Sequence, residues 1–172
     1  MSSFPFQRLG YFVIMLMMQL LIFRDNALFG VAFGFVYVSC ILMWPIDTNR
    51  SVLMTFAFFV GLIIDIFSDT LGMHIFTCVL TAFLRSFWIQ SLTPTGGYDK
   101  NTDISLNSMG LSWFLSYVSI CVFVHVFVLH LVESMSLKNF GWTLLKIVCS
   151  TMLTVFVFYT IELFNQKRKN SY

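Results

Sequence analysis

Gly61-Leu62-Ile63-Ile64-Asp65 and, four residues on from that aspartate, Asp69-Thr70-Leu71-Gly72-Met73-His74 decide how this chain is read. They set two carboxylates and a histidine inside a series of apolar runs, at the point where a hairpin of membrane helices would turn. A charged side chain at the centre of a membrane helix costs about 2.5–3.5 kcal/mol on insertion scales. A chain that keeps such groups there uses them for assembly or for a site.

The surroundings are apolar throughout. Of 172 residues, 58% are hydrophobic and 10% charged, and the mean hydropathy is +0.84. A soluble domain carries roughly 25% charged residues, so this chain has too few polar side chains to cover a water-facing surface. Twenty-one Phe and ten Met suit lipid-facing and interhelical surfaces alike. The composition is that of an all-α polytopic membrane protein with membrane lipid as its solvent. Cys40, Cys78, Cys121 and Cys149 each lie within an apolar run without CxxC pairing, and read as small buried hydrophobes rather than disulfide or zinc ligands.

A spanning helix needs about 20 residues. The apolar runs place six spans, at residues 9–23, 28–44, 51–67, 71–92, 110–132 and 140–164, joined by short loops in a single integral domain. The first is short and carries Gln19. Arg8 ahead of it resembles the start of a secretory signal, but Arg24-Asp25-Asn26 follows instead of a small-x-small cleavage site, so it reads as an uncleaved helix. The second span ends at Pro45, with Trp44 at an interface, and only Ser68-Asp69-Thr70 separates the third from the fourth, so that hairpin is either fully spanning or re-entrant. Residues 93–108 are a polar loop, and 165–172 a basic tail that anchors topology. Three adjacent basic residues in that tail are too few to suggest nucleic acid.

With six spans both termini share one side. Arg8, Arg50, Lys100, Lys167, Arg168 and Lys169 fall on it, with Arg85 snorkelling toward it, against Arg24, Lys138 and Lys146 opposite. The bias of Lys and Arg toward the cytoplasm puts both termini there. Asp65, Asp69, His74, His125, His130 and Glu133 then gather in the outer half of the membrane. Such groups face the bundle interior, a wet cavity or one another. They read as helix ties or as a docking or ligand site; His130 and Glu133, three apart, are neighbours on one helix face.

No HExxH or comparable spacing occurs for a catalytic metal, and Ser116 and Ser119 are out of register with His125 for a serine nucleophile and base, so no catalytic residue, metal or cofactor is expected. No helix shows the sustained polar stripe of a pore. Gly30-x-x-x-Gly34 and Ala57-x-x-x-Gly61 let helices approach closely, inside the bundle or between copies, and leave the oligomeric state open.

Taken in order, Gln19-Leu20-Leu21, Asn26-Ala27-Leu28-Phe29-Gly30, Leu42-Met43-Trp44-Pro45, the run Gly61 to Ser68, Leu71-Gly72-Met73-His74, the stretch His125 to Glu133 and the basic C-terminus resemble the rod shape-determining MreD family, most closely in members from the Bacteroidetes. The likeness covers nearly the whole length. It implies a non-enzymatic scaffold of the bacterial cytoplasmic membrane that works in cell shape and lateral peptidoglycan synthesis, with MreC and, through it, MreB and the RodA–transpeptidase synthase as partners. Gly61, Asp65, Leu71, Gly72, His74, His125, His130 and Glu133 are the structural or partner-docking candidates. The family is also similar in fold to the substrate-binding subunits of energy-coupling-factor transporters. That likeness implies an alternative, a small-molecule binder whose outer polar cluster is the pocket.

Overall fold

The structure is a computed structural model that describes residues 4–24, 27–70, 72–98, 102–134 and 140–169. It is all-helical, and the described residues contain no β-strand beyond an isolated bridge between Leu28 and Ala32. Helix α1 (Phe4–Met18) continues as a π-helical turn, Gln19–Phe23. After an irregular stretch come a 3-10 turn (Val36–Val38) and α2 (Ser39–Leu42). Then follow α3 (Arg50–Ser68), α4 (Met73–Ser91), the short α5 (Leu106–Met109), α6 (Leu111–Ser134) and α7 (Phe140–Lys169). Three helices are long and apolar enough to cross a membrane: Arg50–Ser68, Leu111–Glu133 and Phe140–Gln166.

Local chemistry accounts for the helix ends. The Asn49 side chain caps α3 by accepting from the Ser51 amide at 2.9 Å. Asp69, in the left-handed region at φ 52°, stops α3, and Gly72 at φ 80° redirects the chain into α4. Both helices have 19 residues, about 28 Å of rise each, against a hydrocarbon core of about 30 Å. Ser105 and Ser108 form a reciprocal capping box on α5, whose first amide, Leu106, donates to buried Glu162 of α7.

Arg8 of α1 pairs with Asp103, and Gln166 of α7 donates to Asn107. The start of α1, the 102–110 connection and the end of α7 therefore meet at one end of the bundle, called proximal here. The end of α1, the α3–α4 hairpin and the end of α6 lie at the opposite, distal end. The helical C-terminal segment reaches Lys169, beyond the expected boundary at 164.

The second expected span, 28–44, is not a membrane helix. Phe29 (φ 55°) and Gly30 (φ 71°) turn the chain, residues 33–35 run without regular structure, and helix is confined to Val36–Leu42. Its hydropathy reflects burial among the other helices rather than contact with lipid: Val36 to Leu42 are all 0% exposed. Gly30 and Gly34 share no helix, which removes the close-approach motif expected there. Gly34 has another reason to lack a side chain, since a Cβ would stand 2.4 Å from the Phe23 ring. Trp44 stacks on Phe12 at 5.8 Å instead of marking an interface.

Outward faces are apolar. On α7 the inward face carries Ile147, Ser150, Thr154, Phe158 and Glu162, while Met152, Phe156 and Phe164 point away from the bundle. On α3, Phe59, Ile66 and Phe67 do the same. In water these surfaces would aggregate; in lipid they need no cover.

Gly61 sets the α3–α4 spacing. A Cβ there would lie 2.5 Å from the Ile75 Cα and 2.8 Å from the His74 carbonyl oxygen, backbone that cannot swing aside. Gly61→Ala should therefore destabilise the protein by about 1–3 kcal/mol. Gly10→Ala, with nothing within 4 Å of the new carbon, should be neutral or slightly stabilising. Thermal unfolding in mild detergent, run on both variants, checks the contrast; equal melting points would mean α3 and α4 are not in this contact.

Candidate functional site

Asp65 is 5% exposed and faces α4. Its carboxylate accepts from the backbone amides of His74 (3.1 Å) and Ile75 (2.9 Å) and from the Thr70 hydroxyl. These amides belong to the first turn of α4, which has no intrahelical acceptor for them. The carboxylate thus caps α4 from outside, where the positive end of the helix dipole favours an anion. Gly61 makes this possible one turn earlier by admitting the α4 backbone. Gly72 supplies the left-handed entry to α4, and Leu71 lies outside the described residues.

His74 leads into a buried chain of hydrogen bonds. Its Nδ1 is 2.7 Å from the Tyr37 hydroxyl, which is 2.8 Å from Nε2 of His125; Nδ1 of His125 is 2.9 Å from the Thr81 hydroxyl. Donor counting orders the protons. The Thr81 hydroxyl donates to the Thr77 carbonyl at 2.7 Å, so it accepts from His125 Nδ1. Nε2 of that ring then accepts from Tyr37, and Tyr37 accepts from Nδ1 of His74. His130, also buried, uses its Nδ1 on the Val126 carbonyl at 3.0 Å, one turn back on α6. The second nitrogens of His74 and His130, both Nε2, have no hydrogen-bond partner among the described residues and are left as acceptors.

Tyr37, the hub, belongs to the segment read as an ordinary span, and nothing in its local sequence marks it. The rest of that segment is held in the same way. Phe33 donates its amide to Ser150 (2.9 Å), Phe35 to Thr154 (3.1 Å) and Val36 to the Gln19 side chain (2.8 Å). Irregular backbone at membrane depth survives only where protein or a wet cavity satisfies it. At the proximal end Arg85, 1% exposed, gives Nε to the Tyr117 hydroxyl at 2.9 Å and Nη2 to the carbonyls of Trp44 and Pro45. It does not snorkel to the surface as expected. It donates to carbonyls just past the end of α2, of which that of Pro45 also accepts from the Thr48 amide and hydroxyl. His74, Thr77, Thr81 and Arg85 form an inward polar stripe along α4, contrary to the expectation that no helix carries one. The spacing 74, 77, 81, 85 was the available signal. The stripe is occupied by internal bonds and lines no pore.

Glu133, by contrast, is exposed, and no ion pair among the described residues joins it to His130. It stands at the mouth of a distal cavity of about 200 Å³. His74, His130, Gln19, Ser68 and Thr70 contribute polar groups to its wall, and Phe23, Phe33, Phe35, Ile64 and Leu129 much of the rest; Arg24 also borders it. Lys146 holds its ammonium 5.8 Å from the Phe33 ring. Of the sequence candidates, Asp65 and His74 are brought together directly, His125 is joined to them through Tyr37, and His130 and Glu133 meet His74 only around this cavity. His125 is 0% exposed, so it cannot border a partner's helix.

No family model matches the chain, and no curated protein or solved structure matches it.

Tyr37→Phe removes the hydroxyl between two imidazoles and leaves a buried nitrogen on each without its partner. A loss of about 1–3 kcal/mol per unsatisfied group is expected, read as a lower melting temperature with helix content retained. An unchanged melting point would show that the imidazoles do not rely on Tyr37.

Proposed function

We propose that this chain is a non-catalytic scaffold of the bacterial cell-wall elongation machinery, a six-span relative of the MreD family in the cytoplasmic membrane that binds MreC and, through it, connects to MreB and the RodA–transpeptidase synthase. The observation that carries the reading is where the polar groups are. Asp65, Tyr37, His125, Thr81 and Arg85 bond to one another or to backbone inside the bundle, which is the pattern of groups that hold a shape. The outward faces of α3, α6 and α7 are apolar and suit packing against another protein's membrane helix. The crossing that completes six in this reading is the largely non-helical 27–45 segment, buried over residues 34–42. It leaves α1 at the distal end and reaches the proximal end, where the Ile46 amide donates to the Thr102 carbonyl.

The chain should retain MreC when both are expressed together and the complex is isolated in mild detergent. Glu133→Gln should keep that capture. His125→Leu should lower the melting temperature first and capture only as the fold is lost. Failure to retain MreC by a folded, inserted protein would sink the scaffold reading. A cytoplasmic-type reporter fused after Tyr172 should be active, as the excess of basic residues on the proximal side requires; activity of a periplasmic reporter there would reverse the orientation.

One observation favours a second reading, a small-molecule-binding membrane subunit similar to the substrate-binding component of energy-coupling-factor transporters. The distal cavity has a polar wall built from two immobilised imidazoles, a composition that a purely structural void does not need.

A further inference from the structure

The two imidazoles that line the distal cavity are specific about hydrogen-bond polarity. The Tyr37 chain consumes Nδ1 of His74, and the Val126 carbonyl consumes Nδ1 of His130. Each ring is more than nine-tenths buried, each borders the cavity, and each keeps one nitrogen that can only accept. Rotating a ring to present a donor would break the bond that holds it. Gln19, Ser68 and Thr70 add amide and hydroxyl groups to the wall, but the two rings offer only acceptors, so a molecule seated against them has to bring N–H or O–H groups. The remaining inner wall includes three phenyl rings, of Phe23, Phe33 and Phe35, which favour a flat partner. Formal charges of both signs, Glu133 and Arg24, border the cavity, so no single ligand charge is selected. About 200 Å³ is room for roughly six waters at about 30 Å³ each, or for one small ring with a short arm.

We infer that the distal cavity binds a small, neutral, planar molecule through N–H donors directed at Nε2 of His74 and His130, as an aminoheterocycle or a cyclic amide would. This rests on the ligand-binding reading and names the chemistry of its site. It is compatible with the scaffold reading, because the cavity lies inside the bundle and leaves the outward faces free.

The test uses the full chain in lipid nanodiscs and two probes of one shape, 2-aminopyrimidine and 2-methylpyrimidine, followed by ligand-observed NMR titration. The second replaces the N–H donors by a methyl group. The amino compound should bind at least about fivefold more tightly, the factor one net hydrogen bond supplies. Affinities on the order of millimolar are expected for a fragment of this size. His130→Phe keeps the aromatic wall and removes an acceptor, so the preference should collapse in that variant while cooperative melting persists. If His130→Phe does not fold, Leu20→Trp, which fills the cavity from the π-helical turn after α1, should abolish binding of both probes. Equal binding of the two probes would overturn the donor rule yet leave a ligand cavity standing. Absence of binding by either, in protein that melts cooperatively, would overturn the ligand-binding reading as well and leave a water-filled void. A preference that survives both variants would place the binding elsewhere and overturn the assignment.

Discussion

Inside a lipid-embedded bundle, an irregular stretch of backbone must find a partner for each of its N–H and C=O groups, and the segment from Ala27 to Pro45 imposes that demand on the helices packed around it. An unsatisfied backbone group in hydrocarbon costs several kcal/mol. Gln19, Ser150 and Thr154 take three of its amides. Tyr117 and Arg85 take the carbonyls of Leu42, Trp44 and Pro45. The inward faces of α1, α4, α6 and α7 are polar at the positions where this segment needs them, and apolar elsewhere.

The same demand explains why an arginine can stay buried without a carboxylate. The carbonyl oxygens of Leu42, Trp44 and Pro45 converge just past the last turn of α2; a guanidinium with five donors in a fixed fork meets two of them and a tyrosine hydroxyl meets the third. A lysine would carry the charge but not the geometry. At the other end of the bundle the sign is reversed: the open amides at the start of α4 meet the Asp65 carboxylate. Asp65 and Arg85 each answer a helix end of opposite polarity, which is why neither requires the other.

Between these two anchors the network Thr81–His125–Tyr37–His74 joins α4, α6 and the threaded segment. It leaves its last acceptor, Nε2 of His74, at the distal cavity. Under the proposed ligand binding, rigidity and recognition would be coupled in one object: the bonds that hold the rings in place are the bonds that decide which nitrogen the cavity sees.

Membrane class, the helical periodicity of the long runs, and the Gly61–Asp65 and Gly72–His74 hairpin could be read from the chain by itself, because they depend on composition and on neighbours a turn or two apart. Asp65 was visible for the same reason: its partners lie only nine and ten residues ahead. The second span was misread because hydropathy measures distaste for water and is silent on whether the alternative is lipid or protein. Residues 34–42 are apolar through being enclosed, and only the packing of the other helices reveals this. Tyr37, Ser150 and Thr154 escaped notice since their partners are 37 to 119 residues away in sequence. The exclusion of His125 from any outer surface was decided by the fold as well, since a helix with apolar residues on every face does not show which one turns inward. Local chemistry placed the turns; long-range hydrogen bonding decided what each polar side chain is for.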